Sequence, residues 1–574
     1  MLRAPREPPM TFKPALGISD FRTLREQGAG YVDKTAFIIN LLHEPIEVVL
    51  FPRPRRFGKT LNLSTLRYFL QKRPEDLTHL FQDLAVWTDP EARAHFQRYP
   101  VLFLTFKDIR ADTWESTFRG IRAVLQDLCR EHRYLLTSIA PGSDEHVDVQ
   151  QLLDGTASEE QCWLALKRLS ALLAHHHGEK VIILIDEYDT PIHAGFLRGF
   201  YDDVVRFFRN FLSAALKDNV ALYRGVLTGI LRVSRESLFS GLNNVIVRSI
   251  LDPKHHTAFG FTEAEVAAIT EADAHPGRLD ALKAWYNGYL FGGETLYNPW
   301  SILGYLDTGE LRPHWVNTSS NDLLYDLVVR RGMGLSGDME QLLAGGAIDA
   351  RIDESLVLRD IEQRADALWS FLLFTGYLKP LELRRSEAGL EASLAVPNRE
   401  VMQAFRDVFY LWMSRGLTDR ASVEALCRAL LRGEAEEVEA LLEKLLLTTM
   451  SFQDPAGREP EKLYHGFILG LLVQLEGRYE VRSNRESGFG RADVLVRPRK
   501  AGEPGVVIEL KVPRRRRGET PEQALVAAAR QVRERRYAEE LRAAGASPVH
   551  ELCAVFDGKR AWVQTVDEAL ASGG

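Results

Sequence analysis

Apolar residues in the first half of the chain fall into short unbroken runs. Val48-Val-Leu-Phe51, Val101-Leu-Phe-Leu-Thr-Phe106 and Val181-Ile-Ile-Leu-Ile185 are too short for buried helices and lack the alternation of a strand with one wet face. They predict strands covered on both sides, as in a parallel sheet. Ala221–Thr228 reads as a fourth. Between them, apolar positions recur with helical spacing around Trp114–Cys129, Gln161–Ala174 and Phe200–Leu216. This alternation predicts an α/β domain over residues 1–255. From about residue 256 the strand signal fades. Thr262 followed by Glu265 has the form of a capping box opening a helix, and leucine-rich helical segments run on, so residues 256–450 read as a helical lid, spacer or partner surface. Residues 451–574 read as a second α/β domain. There a helix from Glu461, a strand through Tyr479–Arg482 and a glycine turn at Ser487–Gly490 precede two further strands, Arg491–Arg497 and Val506–Lys511.

The first run leads into the first candidate site. After Phe51 the chain breaks at Pro52 and Pro54, turns through Arg55-Arg56-Phe57, and reaches Gly58-Lys59-Thr60 at the head of a helical stretch. Strand, loop, GKT and helix is the order of a P-loop. Backbone N–H groups at the helix N-terminus cradle phosphates, the lysine reaches the β/γ-phosphates, and the threonine hydroxyl holds Mg²⁺. Arg53 stands where the usual first glycine falls. The run at Val181 ends in Asp186-Glu187, so Asp186 is expected to reach Mg²⁺ and Glu187 to polarise the attacking water. Thr228, at the end of the fourth run, is the expected polar sensor of the γ-phosphate. Arg232 and Arg235 are candidates for acting on phosphate in cis or in trans. The strand at Val101 is expected to lie between the P-loop strand and the acidic strand. Phe21 reads as core, with a place beside the adenine as the alternative, and His175-His-His177 as a solvated turn with no second ligand pair.

A second constellation lies near the C-terminal end. Strand alternation puts Glu509 and Lys511 on one face of their strand, with Asp493 on the neighbouring strand. Two carboxylates and a lysine converging on a hairpin suit phosphodiester cleavage: Asp493 and Glu509 as Mg²⁺ ligands, Lys511 orienting water or steadying developing charge. Arg514–Arg517 follow at once, and Gln531 and Tyr537 on the next helix are placed to face the same cleft.

Composition narrows the setting. With 574 residues, 45% hydrophobic and 26% charged, the chain has the make-up of a soluble multidomain protein. A formal net charge of −7 predicts no general attraction to nucleic acid, although the region from 451 carries about three more basic than acidic residues. Cys129, Cys162, Cys427 and Cys553 show neither disulfide nor zinc spacing, and the opening MLRAPREPPM has no apolar core, so a flexible leader and a cytoplasmic setting are expected. No membrane association is expected, since no apolar run is long enough to span a bilayer.

Taken together, GISDF with YVDKT, RPRRFGKT, IDEYDTPI, LTGILRVSRESLFSGLNN, WYNGYLFG with YNPWSI, WVNTSSN, YHGFILGLL, ESGFGRADVLV and VIELK run through nearly the whole chain. In this order they resemble a family of prokaryotic proteins that join an AAA-ATPase-like P-loop domain to a C-terminal PD-(D/E)XK nuclease-superfamily domain. The resemblance implies ATP and Mg²⁺ as cofactors, a restriction-endonuclease-like C-terminal fold, ATP-binding roles for Gly58, Lys59, Thr60, Asp186 and Glu187, and nuclease roles for Asp493, Glu509 and Lys511. It leaves Glu461 and Glu486 as alternatives for an additional acid. The expected partner is nucleic acid, DNA more than RNA, with a homo-oligomer as a possible assembly. The alternative is a nucleotide-dependent switch or scaffold whose C-terminal domain binds nucleic acid or protein without cutting.

Overall fold

In the computed structural model, each apolar run of the first half becomes a strand: β1 (Val48–Pro52), β2 (Val101–Thr105), β3 (Val181–Asp186), β4 (Leu222–Gly229) and a short β5 (Val245–Val247). The structure describes residues 12–231, 244–270, 278–315, 336–343, 345–356, 358–387, 389–405, 420–449, 464–465, 467–468, 471–472, 475, 478–483, 493–514 and 518–572. The chain divides into two compact units, Met1–Leu323 with Asp349–Met402 and Leu324–Ile348 with Gln403–Gly574.

The first unit is built on the five-stranded sheet, in the order β2-β3-β4-β1-β5 with every pair parallel. All residues of β1 and β3 are buried, which is why these strands read as continuous apolar runs. The strand between β1 and β3 is therefore β4, and β2 sits on the far side of β3, contrary to the expectation from chain order. Parallel strands are joined by helical crossovers, and a crossover can skip a place that a later strand fills. The exchange puts Thr228, at the end of β4, beside Asp186, at the end of β3.

The helices of this unit include α1 (Lys59–Leu70), α2 (Trp114–Glu131), α3 (Glu159–His177), α4 (Thr190–Arg198) and α5 (Tyr201–Leu216). Helix α3 opens with a capping box between Ser158 and Gln161 and closes on Gly178 in the left-handed conformation. The three histidines at 175–177 form its last turn. His175 and His176 are exposed, and His176 and His177 hydrogen-bond to Ser138 and Tyr134, so the expected solvated segment is the end of a helix rather than a turn. Helix α5 buries Phe207, Phe208 and Phe211 among its apolar residues. Phe21 is core, stacked on Phe81 with ring centroids 4.9 Å apart.

The middle of the chain carries helices, as expected, and strands that the sequence pattern hides. A hairpin of β6 (Tyr289–Phe291) and β7 (Glu294–Leu296) precedes the helix Pro299–Thr308, whose N-cap Asn298 accepts from the backbone of Trp300 and Ser301. A three-stranded sheet follows, ordered β8-β10-β9, from β8 (Ala347–Ile352), β9 (Lys379–Ser386) and β10 (Gly389–Ala395). Most of β9 is exposed on both faces, so it shows no apolar alternation.

The second unit has a mixed sheet in simple order, β11 (Tyr479–Ser483), β12 (Val494–Pro498), β13 (Gly505–Lys511), β14 (Val549–Asp557) and β15 (Arg560–Thr565). Neighbours are antiparallel except β13 and β14. Helices α6 (Arg420–Arg432) and α7 (Ala435–Thr449) share one apolar core with Val506, Ile508 and Leu510. Helices α8 (Pro521–Arg535), α9 (Tyr537–Ala543) and α10 (Val566–Ala571) share another with Val507, Cys553 and Val555. The period-two alternation along β13 and β14 assigns these cores to opposite faces. Among the described residues no helix is long and apolar enough to cross a membrane.

A methyl group added at Gly229 would lie 2.7 Å from the Tyr188 ring and 2.8 Å from Asp189 Oδ1. Tyr188 is held by its hydroxyl, which donates to the Leu231 carbonyl at 2.7 Å. Gly229→Ala is therefore expected to destabilise the first unit by about 1–3 kcal/mol in denaturant titration; wild-type stability would contradict the packing described.

Candidate functional site

The ends of β2, β3 and β4 and the first turn of α1 converge on one buried carboxylate. Asp186 is fully buried, and its two oxygens accept hydrogen bonds from Thr60 at 2.8 Å, Thr105 at 3.3 Å and Thr228 at 2.6 Å. Burial pushes its pKa up, the adjacent Glu187 adds to this, and the Thr228 and Thr60 hydroxyls oppose it. Gly58, the N-cap of α1, is left-handed with φ of 80°, a conformation glycine adopts without strain. The Lys59 ammonium is buried and donates to the carbonyls of Arg53 and Pro54 at 3.1 and 3.0 Å. Burial lowers its pKa, against the pull of Glu187, Asp189 and Asp186. Glu187 follows β3 with φ of 49°, and its backbone N–H donates to the Thr228 hydroxyl at 3.4 Å.

Beside them lies a cavity of about 710 Å³, a size that suits a nucleotide-scale ligand. Gly58, Lys59, Thr60 and Glu187 form part of its wall. Ile18, Tyr31, Val32 and Phe261 line it as well, whereas Phe21 does not. Lys34, from the same YVDKT stretch, donates to Glu265 at 2.6 Å and to the Thr257 carbonyl at 3.0 Å.

In the second unit, Glu509 is fully buried on β13. Lys511 Nζ lies 3.1 Å from Glu509 Oε1, and Glu509 Oε2 has no hydrogen-bond partner. Asp493, just before β12, accepts from the Leu510 backbone N–H at 2.9 Å, while its own carbonyl meets His465 Nε2 at 2.9 Å. The Glu509 carboxyl is pushed up to about 7 by burial and by Asp493, with Lys511 opposing. Gln531 Nε2 is 3.5 Å from the Tyr537 hydroxyl, whose pKa is raised by burial and also by Glu509 and Asp493.

Comparison with known proteins agrees with both halves. The family described as "Predicted AAA-ATPase" matches residues 15–239, and the PD-(D/E)XK nuclease superfamily matches residues 459–566. A protein of Azotobacter chroococcum mcd 1, "Uncharacterized protein in vnfD 5'region", is 31% identical over 420 residues, covering 71% of this chain and 71% of that protein. The chain belongs to the predicted AAA-ATPases that carry a PD-(D/E)XK nuclease-superfamily domain.

Within the AAA-ATPase-like unit, Arg53 has a role that sequence reasoning missed. Its side chain leaves the GKT loop and enters the core, where it is fully buried. The guanidinium donates to the carbonyls of Pro52, Arg248 and His255 at 2.9, 2.5 and 3.3 Å and lies over the rings of Phe259 and Phe291. Burial lowers its pKa to about 9, still well above neutral. The aromatic stretch around 285–300 also does more than pack on itself. Phe57 of the GKT loop meets Tyr289 and Phe291, and Arg56 lies 4.0 Å from the centroid of the Trp300 ring, which lines the cavity. The run of arginines before the GKT was the available signal, since three long cations in one loop need partners. Arg232 and Arg235 lie outside the described residues.

The donors present suit a hard cation. Thr60 and Asp186 offer oxygen ligands beside a helix N-terminus, and Asp493 and Glu509 offer two carboxylates, one with an orphaned oxygen. Among the described residues no group of three or more His, Cys, Asp or Glu is arranged to hold a metal. The candidate third acids, Glu461 and Glu486, lie outside those residues, as do Arg515–Arg517.

Two outcomes follow from these geometries. Arg53→Gly, which restores the commoner glycine, strips three carbonyls of their donor and is expected to destabilise the first unit by about 3 kcal/mol or more, read by thermal melting. An unchanged or raised Tm would contradict the pinning role. For Glu509 the folded pKa of about 7 exceeds the ordinary 4.5, so the folded state binds the extra proton in that window. With divalent metal chelated, stability of the second unit should therefore fall by ~1–3 kcal/mol as pH rises from about 5 to 8, and Glu509→Gln should flatten the dependence. A Gln variant with the wild-type pH profile would show that Glu509 is not the group responsible.

Proposed function

We propose that the chain binds ATP at Gly58, Lys59, Thr60, Asp186 and Thr228, hydrolyses it with Glu187 as general base, and cleaves nucleic-acid phosphodiester bonds at Asp493, Glu509 and Lys511. The observation that carries the reading is the recurrence in each unit of a buried carboxylate, Asp186 or Glu509, with a lysine close by and oxygen donors left for a cation. Mg²⁺, when bound at each site, supplies neutralisation of phosphate charge and polarisation of the phosphorus centre. The chain's own groups do the rest. Lys59 exchanges its two loop carbonyls for phosphate oxygens, so it enters the complex without crossing a large distance. Asp186 keeps Thr60 and Thr228 aligned, and Glu187 receives the proton of the attacking water. In the second unit Lys511 balances the charge of Glu509 and stands ready to steady charge building on the phosphate. The nearness of Tyr537 to Glu509 and Asp493 and the basic stretch from Arg514 support nucleic acid as the substrate, and we take DNA before RNA.

The test uses the full chain on labelled DNA and RNA with Mg²⁺, with and without ATP. Glu509→Ala is expected to lose cleavage by about a hundredfold or more while ATP turnover stays within about twofold of wild type. Lys59→Ala should abolish ATP turnover. Cleavage by Glu509→Ala at the wild-type rate would overturn the nuclease assignment; salt-sensitive binding with no product in any lane would favour a nucleotide-dependent switch.

A further inference from the structure

Asp189 and His193, three and seven residues beyond Asp186 along the chain, have had no role so far. Asp189 is fully buried, and its Oδ2 accepts the backbone N–H groups of Ile230 and Leu231 at 2.7 and 3.0 Å, immediately after Thr228 and Gly229 of β4. Its Oδ1 has no hydrogen-bond partner. His193, one turn along α4, is 6% exposed and lines the nucleotide-sized cavity with Glu187 and Thr190. His193 Nε2 is 3.7 Å from Asp189 Oδ2, too far for a hydrogen bond, and has no partner either. Of the two, only His193 lines the cavity, carrying an unpartnered buried nitrogen, whereas the Asp189 oxygen lies against Gly229. Such atoms are costly unless something completes them, and native proteins keep them chiefly where a ligand or a small movement does so.

The surroundings fix the imidazole's state. Burial keeps it neutral, with Arg55 and Arg110 pushing the same way and Asp189 and Glu187 opposing. A neutral imidazole offers one donor and one acceptor. Thr190, which lines the cavity with His193, donates through its hydroxyl to Glu187 Oε2 at 3.3 Å.

We propose that His193 is a positioning residue for ATP hydrolysis: set in the cavity wall with Glu187 and carrying an unpartnered ring nitrogen, it aligns the attacking water for Glu187 and steadies the terminal phosphate. The inference rests on the ATPase reading. In the step it serves, the water oxygen bonds to the γ-phosphorus, the bond from that phosphorus to the β–γ bridging oxygen breaks, and its electron pair leaves with ADP. The water's proton passes to the Glu187 carboxylate. His193 neither gains nor loses a proton overall; it completes its own hydrogen bonds only when water and phosphate are in place.

The experiment compares wild type, His193→Ala, His193→Phe and His193→Gln as full chains, measuring ATP turnover with Mg²⁺ and affinity for a fluorescent ATP analogue. His193→Ala and His193→Phe are expected to lose about 10–100-fold in kcat with KM and analogue affinity within about threefold of wild type. His193→Gln, which keeps a neutral hydrogen-bonding group, should recover part of the loss. The phenylalanine variant preserves ring volume, so it gives the reading if the alanine variant does not fold. Turnover in His193→Phe at the wild-type rate overturns the proposal, and so does a loss of affinity as large as the loss of kcat, which would make His193 a wall of the binding cavity only. Wild type that turns over no ATP at all overturns the ATPase reading and this inference with it.

Discussion

One buried charge organises the first unit. Asp186 lies at the end of a strand with no exposed residue, and a carboxylate there is tolerable only if hydrogen bonds replace the water it gave up. The donors come from three elements: Thr105 at the end of β2, Thr228 at the end of β4 and Thr60 in the first turn of α1. Satisfying Asp186 therefore fixes how the GKT helix sits against the sheet and how the end of β4 meets the end of β3. The strand order follows the same logic, because only β4 between β1 and β3 brings Thr228 within reach.

The GKT loop is held from behind in a different way. Arg53 replaces the flexibility a glycine would offer with an anchored guanidinium, and the aromatic stretch around 285–300 supplies the rings against which Arg56 and Phe57 rest. On the proposed ATP-binding role, such anchoring would preorganise the loop's backbone N–H groups for phosphate. In the second unit Glu509 repeats the theme of a buried acid, here with one oxygen met by Lys511 and the other unmet. Burial and the nearby Asp493 raise its pKa.

Much of this was legible along the chain. Strands buried on both faces leave unbroken apolar runs, so β1 to β4 and their flanking helices could be read directly, as could Gly58-Lys59-Thr60 and Asp186-Glu187 at strand ends. The hairpin with Asp493, Glu509 and Lys511 followed from period-two alternation. What stayed hidden depends on three-dimensional neighbours. Strand order is not written in chain order, so β2 was expected where β4 lies. The strand β9, Lys-Pro-Leu-Glu-Leu-Arg-Arg-Ser, is largely solvated on both faces and carries no apolar period. Arg53 looked like a blemish in a phosphate loop because its partners, Arg248, His255, Phe259 and Phe291, come from some 200 residues further on. Asp189 and His193 gave no signal because their importance lies in what they fail to bond.

On the proposed function, each unit holds a cation at its buried carboxylate. The most direct test is a crystal structure of the full chain grown with Mn²⁺ and a non-hydrolysable ATP analogue, with anomalous scattering used to locate the metal. The account predicts one Mn²⁺ peak against Thr60 beside Asp186, next to the analogue's phosphates, and another against Asp493 and Glu509. Nucleotide bound away from Lys59, or metal peaks that avoid both carboxylates, would contradict it.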